Sequence, residues 1–264
     1  MMWDLMLLLE PKNIVIFILL MTRLSGMFVS APFFSTIPMP MHTKAVLVFF
    51  IAFIMYPIIA KNTTLIDANM FLDMPSLMVL MVKELVIGAM IGFAANLIFM
   101  AVQMSGQLLS MQMGLAISNV LDPMTQESAP VIGQFYLFIA SLMFLFINGH
   151  LWLFSSIIES YSIIPINYDF VFSGPFVERI IYFTSQVFSI AFKVIVPIYA
   201  VLIITAVVMG FMSKAMPRMN VFMVALPIKI LVGIALMVMF TVPTASYIAG
   251  IMETLLKQIN AMFI

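Results

Sequence analysis

The sequence predicts an all-α integral membrane protein, and three observations carry that expectation. Of its 264 residues, 64% are hydrophobic and 8% charged, whereas a soluble domain of this length needs far more polar side chains on its surface. The mean hydropathy is +1.21. Apolar residues gather into six runs, at 13–34, 45–60, 76–102, 129–158, 180–212 and 221–251. A helix of roughly 20 apolar residues crosses the hydrocarbon core, and it satisfies its own backbone polar groups while doing so.

Taken in order, the first run follows Met1-Met2-Trp3-Asp4-Leu5, with acids at Asp4 and Glu10 and the first basic residue at Lys12. A cleaved signal peptide starts basic and ends on small residues, so this helix is expected to be retained. The second run is short for a crossing. The last two exceed 30 residues, about 45 Å of helix at 1.5 Å per residue, against a core of about 30 Å. They must tilt, kink or protrude, and Pro197, Pro227 and Pro243 offer kink points. Polar, turn-rich connections lie at 35–44, 61–75 and 161–179. Ser213-Lys214-Ala215-Met216-Pro217-Arg218-Met219-Asn220 reads as a tight basic turn joining the last two helices into a hairpin.

Orientation does not follow from charge. If all six runs cross, Lys44, Lys214 and Arg218 fall on one side, and Lys12, Lys61, Arg179 and Lys257 on the other. The excess of Lys and Arg that marks cytoplasmic loops is missing. Such an even split is unusual for a simple six-span bundle.

Several function classes are excluded or disfavoured. There are 11 basic and 11 acidic residues, with no basic patch for nucleic acid. With no cysteine, disulfides, thiolate metal sites and iron–sulfur clusters are absent. His42 and His150 lie far apart, each reading as a polar group at a helix end, not a metal ligand. No phosphate-cradling glycine loop, HExxH pair or GxSxG turn occurs, and acids are too sparse for an acid–base pair. No catalytic residue, metal or cofactor is expected.

Charges inside the apolar runs need partners. Arg23, Lys83, Glu84, Lys193 and Lys229 each interrupt a hydrophobic stretch. A Lys or Arg at mid-membrane costs about 2.5–3.5 kcal/mol on the lenient insertion scale. Lys83 and Glu84 are neighbours, about 100° apart on a helix, and cannot share one face. Ion pairing between helices or subunits is the plain reading; a proton relay in a transporter is the alternative. Gly88-Ala89-Met90-Ile91-Gly92 is a GxxxG, which lets helix backbones approach closely.

The segment 103–127 is the most unusual. It holds no Lys or Arg, mixes Gln103, Gln107 and Gln112 with Met104, Met111 and Met113, and reaches Asp122-Pro123. Gly106, Ser110, Gly114 and Ser118 recur every four residues, one stripe if the segment is helical. It is too polar to face lipid and too apolar for a free loop, so a re-entrant or pore-facing segment is expected. Methionine supplies 28 residues, and its unbranched thioether re-packs around varied shapes. Most of these substitute for leucine in apolar helices. Those at 104, 111 and 113 are candidates for a pliable gate.

The chain resembles the FliR family of flagellar export-gate proteins and its injectisome counterparts, the SpaR/YscT group. The likeness runs nearly end to end. It rests on Arg23-Leu24-Ser25-Gly26-Met27-Phe28 with Ala31-Pro32 and Ile37-Pro38, and on Lys83-Glu84 with Gly88 and Gly92. Then follow Gly106-Gln107, Gln112-Met113-Gly114-Leu115, Asp122-Pro123 and Asn148-Gly149-His150. Last come Met216-Pro217-Arg218-Met219-Asn220-Val221-Phe222, with Pro227 and Lys229. Arg218 departs from the family, where glutamine is common.

The resemblance implies an all-α subunit with kinked helical hairpins, built into a helical hetero-oligomer. Residues 1–175 would form a FliP-like part and 176–264 a FliQ-like hairpin, with 106–122 plugging the closed channel. It also implies FliP-like and FliQ-like subunits, and FlhB-like and FlhA-like membrane neighbours. Unfolded flagellar subunits would be transient cargo at the basal body in the bacterial inner membrane. Gly106, Gln107, Leu115, Asp122 and Pro123 join the three methionines, Gln112 and Gly114 as gate candidates. Arg23, Lys83, Glu84, Gly88, Gly92, Lys193, Pro217, Asn220 and Lys229 are the packing and pairing candidates. A virulence injectisome is the alternative setting, and a secondary transporter the alternative class, although no repeated halves are visible.

Overall fold

The computed structural model describes residues 11–32, 40–62, 74–115, 131–166, 174–216, 218 and 221–259. Among them all regular secondary structure is helical, without strands. The helices are α1 (Pro11–Ser30), α2 (Met41–Asn62), α3 (Met74–Met113), α4 (Val131–Phe146), α5 (Gly149–Ile163), α6 (Gly174–Ala215) and α7 (Val221–Gln258). Five are long and apolar enough to cross a membrane, or six crossings if α4 and α5 share one.

The boundaries differ from the sequence expectation in informative places. The helix over the second run is longer than the run itself: α2 begins a turn earlier, where the Pro40 carbonyl accepts from Thr43 N (3.0 Å) and Lys44 N (3.3 Å), and the 20 residues Met41–Ala60 qualify as a span. The run 129–158 is not one helix. Asn148 adopts the left-handed conformation (φ 56°, ψ 35°) and separates α4 from α5, a conformation asparagine tolerates better than most residues. The helix α5 then continues to Ile163, so Tyr161 belongs to it and not to the following connection. The tight turn after α6 is shorter than expected, since α6 itself reaches Ala215.

The third helix shows the largest difference. It runs unbroken for 40 residues, about 60 Å, through Gln103, Gln107 and Gln112. Glutamine, methionine and leucine are all good helix formers, so the polar amides do not stop it. Gly114 does, at φ 83°, with its N–H on the Met111 carbonyl at 3.0 Å. The re-entrant expectation is therefore corrected for 103–113, while 116–127 lies outside the described residues. Pro197, Pro227 and Pro243 lie inside helices that continue through them.

Two compact units are present. The first comprises Met1–Leu97, Asn148–Phe183 and Thr254–Ile264. Here α1 packs on α2, and α2 on α5; Phe17 meets Phe49 and Tyr56 edge-on at 5.6 and 6.2 Å. Leu19, Leu20, Leu24 and Met27 of α1 are fully buried. The hydroxyls of Thr22, Ser25 and Ser30 bond carbonyls one turn back, at 2.8, 2.7 and 3.0 Å, so they add no unsatisfied polar group to an apolar helix.

The second unit comprises Ile98–Ile147 and Thr184–Glu253. Leu109, Met113, Phe144, Ile195, Ile198 and Leu202 are completely buried in it. The Phe99 and Phe144 rings meet at 5.5 Å, tying the second half of α3 to α4.

Candidate functional site

Two features gather the sequence-selected residues. The first lies in the first unit, where α1 crosses α3 at backbone distance. A methyl group on Gly26 would strike the Leu85 carbonyl and reach within 2.8 Å of Ala89 N. One on Gly88 would overlap the Arg23 carbonyl, and one on Gly92 would strike Ser30 Oγ and lie 2.6 Å from Met27 O. The glycines are needed for their size. They let two helix backbones touch, which is what small residues do where lipid supplies no competing driving force.

That crossing sets Arg23 opposite Glu84. Both are buried, at 0% and 2% exposure. The guanidinium donates through Nε to Glu84 Oε2 and through Nη2 to Oε1 at 2.9 Å, a two-pronged pair. Its Nη1 donates to Ser160 Oγ at 2.8 Å, and Nη2 also to the Ile164 carbonyl at 3.3 Å. The Tyr161 ring lies against the guanidinium, 3.7 Å from its centre, and its hydroxyl donates to Glu84 Oε2 at 3.3 Å. One cluster thus joins α1, α3 and α5. Neither charge faces lipid; each has an opposite charge and further hydrogen bonds, as buried ions require. Lys83, one residue along, is half-buried on another face. Sequence reasoning found Arg23, Glu84, Gly88 and Gly92 but not Gly26's counterpart role, Ser160 or Tyr161.

The second feature is the end of α3, in the second unit. Gly106 is buried against α4: a methyl there would come within 2.6 Å of Gly133 Cα and 2.8 Å of Ile132 O. Ser110 is buried, and fully buried Met113 packs on Gly233 of α7, where an added methyl would meet its Sδ at 2.7 Å. Met104, Gln107 and Met111 follow one another at intervals of three and four on a different face. Met104 and Gln107 are half-exposed and Met111 is 64% exposed. Gln112, Gly114 and Leu115 are half-buried. The candidates therefore divide between an inward packing face and an outward methionine–glutamine face. Gly133 and Gly233 were missed, each being a lone glycine in an apolar run.

Lys193 on α6 is exposed and Lys229 on α7 half-buried. Asp122, Pro123, Pro217 and Asn220 lie outside the described residues. His42 and His150 are each the second residue of a helix, and the buried His150 Nδ1 has no hydrogen-bond partner among the described residues. Among the described residues no group of His, Asp or Glu could hold a metal ion.

These helices and their internal ion pair define a multi-pass membrane protein. Residues 14–256 match the family described as Bacterial export proteins, family 1. The chain is 33% identical over 227 residues to the flagellar biosynthetic protein FliR of Bacillus subtilis, covering 84% of each. It is 27% identical to the FliR of Escherichia coli K12 over 81% of this chain and 80% of that one. Over 59% of each chain it is 30% identical to the surface presentation of antigens protein SpaR of Shigella sonnei. The chain belongs to the FliR family of bacterial export proteins.

Proposed function

We propose that this protein is a core subunit of the flagellar type III export gate in the bacterial inner membrane, forming and sealing the channel for unfolded flagellar subunits. The family match across residues 14–256 carries the export role. The fuller coverage of the flagellar relatives, 84% against 59% for the SpaR protein, supports a flagellum over an injectisome. In this reading residues 1–175 act as a FliP-like part and 176–264 as a FliQ-like hairpin. The protein assembles with FliP-like and FliQ-like subunits beside FlhA-like and FlhB-like membrane proteins.

The gate is the end of α3. Its inward face is fixed by Gly106, Ser110 and Met113. Its outward face offers Met104, Gln107 and Met111, two pliable thioethers flanking an amide, to whatever shares the channel. Asp122 and Pro123 would continue the same closure. The sealing role is tested by changing Met104, Gln107 and Met111 together to alanine, which removes side chains without cutting packed backbone. The inner membrane of cells carrying this variant is expected to leak small ions while the protein still co-purifies with its partners. An intact ion barrier in an assembled variant removes the sealing role. Undiminished flagellin export from a strain lacking the gene removes the export role as well.

A further inference from the structure

Residues 180–252 contain no Asp or Glu, yet carry Lys193, Lys214, Arg218 and Lys229. Of these, Lys229 stands in a cleft of about 290 Å3 within the second unit, between the last turns of α6 and the first turns of α7. Ala206, Met209, Gly210 and Ser213 supply one wall at helical spacing, and Ala225 and Lys229 the other. The walls are small and apolar, and nothing lies within 4 Å of where a methyl on Gly210 would sit, so the cleft is open. Lys229 has no hydrogen-bond or ion-pair partner among the described residues. Exposed Lys214 and Arg218 stand beside Ser213 and just beyond it in the chain.

The two helices are long and apolar enough to span over Glu178–Ala215 and Met223–Gln258, and the cleft lies toward the end of each span that faces their connecting turn. An unpaired ammonium there reaches along its apolar stem toward the interface. We propose that the cleft binds an anionic phospholipid. The phosphate takes Lys229 and the Ser213 hydroxyl, Lys214 and Arg218 add long-range attraction, and an acyl chain lies over Ala206, Met209 and Gly210. Three cations with no carboxylate in the surrounding stretch favour an anion over a zwitterion, and an open, small-walled groove suits a flexible chain. Basic pockets between membrane helices hold lipid headgroups on the same terms.

The test uses the full chain co-purified with its partners and reconstituted in phosphatidylcholine nanodiscs with or without one-fifth phosphatidylglycerol, with bound lipid read by native mass spectrometry. Wild type is expected to retain phosphatidylglycerol selectively. Lys229→Gln should lower retention about fivefold, the weight of one basic residue against an anionic lipid, and Lys229→Arg should restore it. Gly210→Leu fills the cleft without touching a charge and should abolish retention in a protein that still assembles. Lys44→Gln, on α2 in the first unit, should change nothing. Equal retention in wild type, Lys229→Gln and Gly210→Leu overturns the proposal. So does cross-linking of Lys229 to a partner protein's carboxylate in a complex that keeps no lipid.

Discussion

The first unit and the two last helices treat charge in opposite ways. In the first unit Arg23 and Glu84 are sealed from their surroundings and satisfied by one another, Ser160, Tyr161 and the Ile164 carbonyl. In α6 and α7, Lys193, Lys214 and Lys229 stand in a stretch, 180–252, that holds no acid, and only 6% of the apolar window of α7 is buried inside the protein, against 61% for α3. Burial explains the contrast. A helix enclosed by others must satisfy its charges within the chain, because desolvation of a lone ion costs several kcal/mol. A helix left bare can leave its cations to lipid or to another subunit. The first region satisfies its buried charges within the chain; the second leaves most of the α7 window uncovered by the chain itself.

The comparison breaks most visibly at the ion pair. Glu84→Ala leaves a buried guanidinium uncompensated and should cost about 3–5 kcal/mol, read as a collapse of protein level in the membrane and of the thermal midpoint in detergent. The double change Arg23→Met with Glu84→Leu should recover most of that loss, because removing both charges removes the desolvation cost. A double variant no better than the single one would mean that the pair itself holds the fold.

A smaller effect is expected at the crossing. Gly88→Val pushes a branched side chain into the Arg23 backbone and should cost about 1–3 kcal/mol. Gly250→Ala, where nothing lies within 4 Å, should be neutral or stabilising by about 0.5–1 kcal/mol through helix propensity. Detergent melting curves of the two variants separate packing from propensity. Equal midpoints would remove the close-crossing argument. Smaller than the loss at Gly88, Tyr161→Phe keeps the ring over Arg23 and deletes one hydrogen bond to Glu84, for a loss of about 0.5–1.5 kcal/mol in the same measurement.

Much of the fold was legible because hydropathy runs are local. The helices fall where the apolar stretches do, and Gly88 and Gly92 announced a close crossing through their spacing. What could not be read was long-range. Arg23 demanded a partner, but Glu84 is 61 residues away and Ser160 137, and nothing in the intervening chain names them. Gly133 became meaningful only once Gly106 lay against it. The end of α3 misled for a different reason: its glutamines suggested broken backbone, yet they extend a helix whose other face is packed. Asn148 failed in the opposite sense, a single left-handed residue dividing a run that hydropathy alone reads as continuous.

The Arg23 cluster also has a consequence for biosynthesis. At about 5–20 residues per second, the ribosome releases Arg23 several seconds before Glu84, and longer still before Ser160 and Tyr161. Throughout that interval α1 carries an unanswered cation. Its charge is answered within the chain only once Glu84, and later Ser160 and Tyr161, have been made. Synthesis order, read off three residue numbers, makes the first helix among the last to be settled.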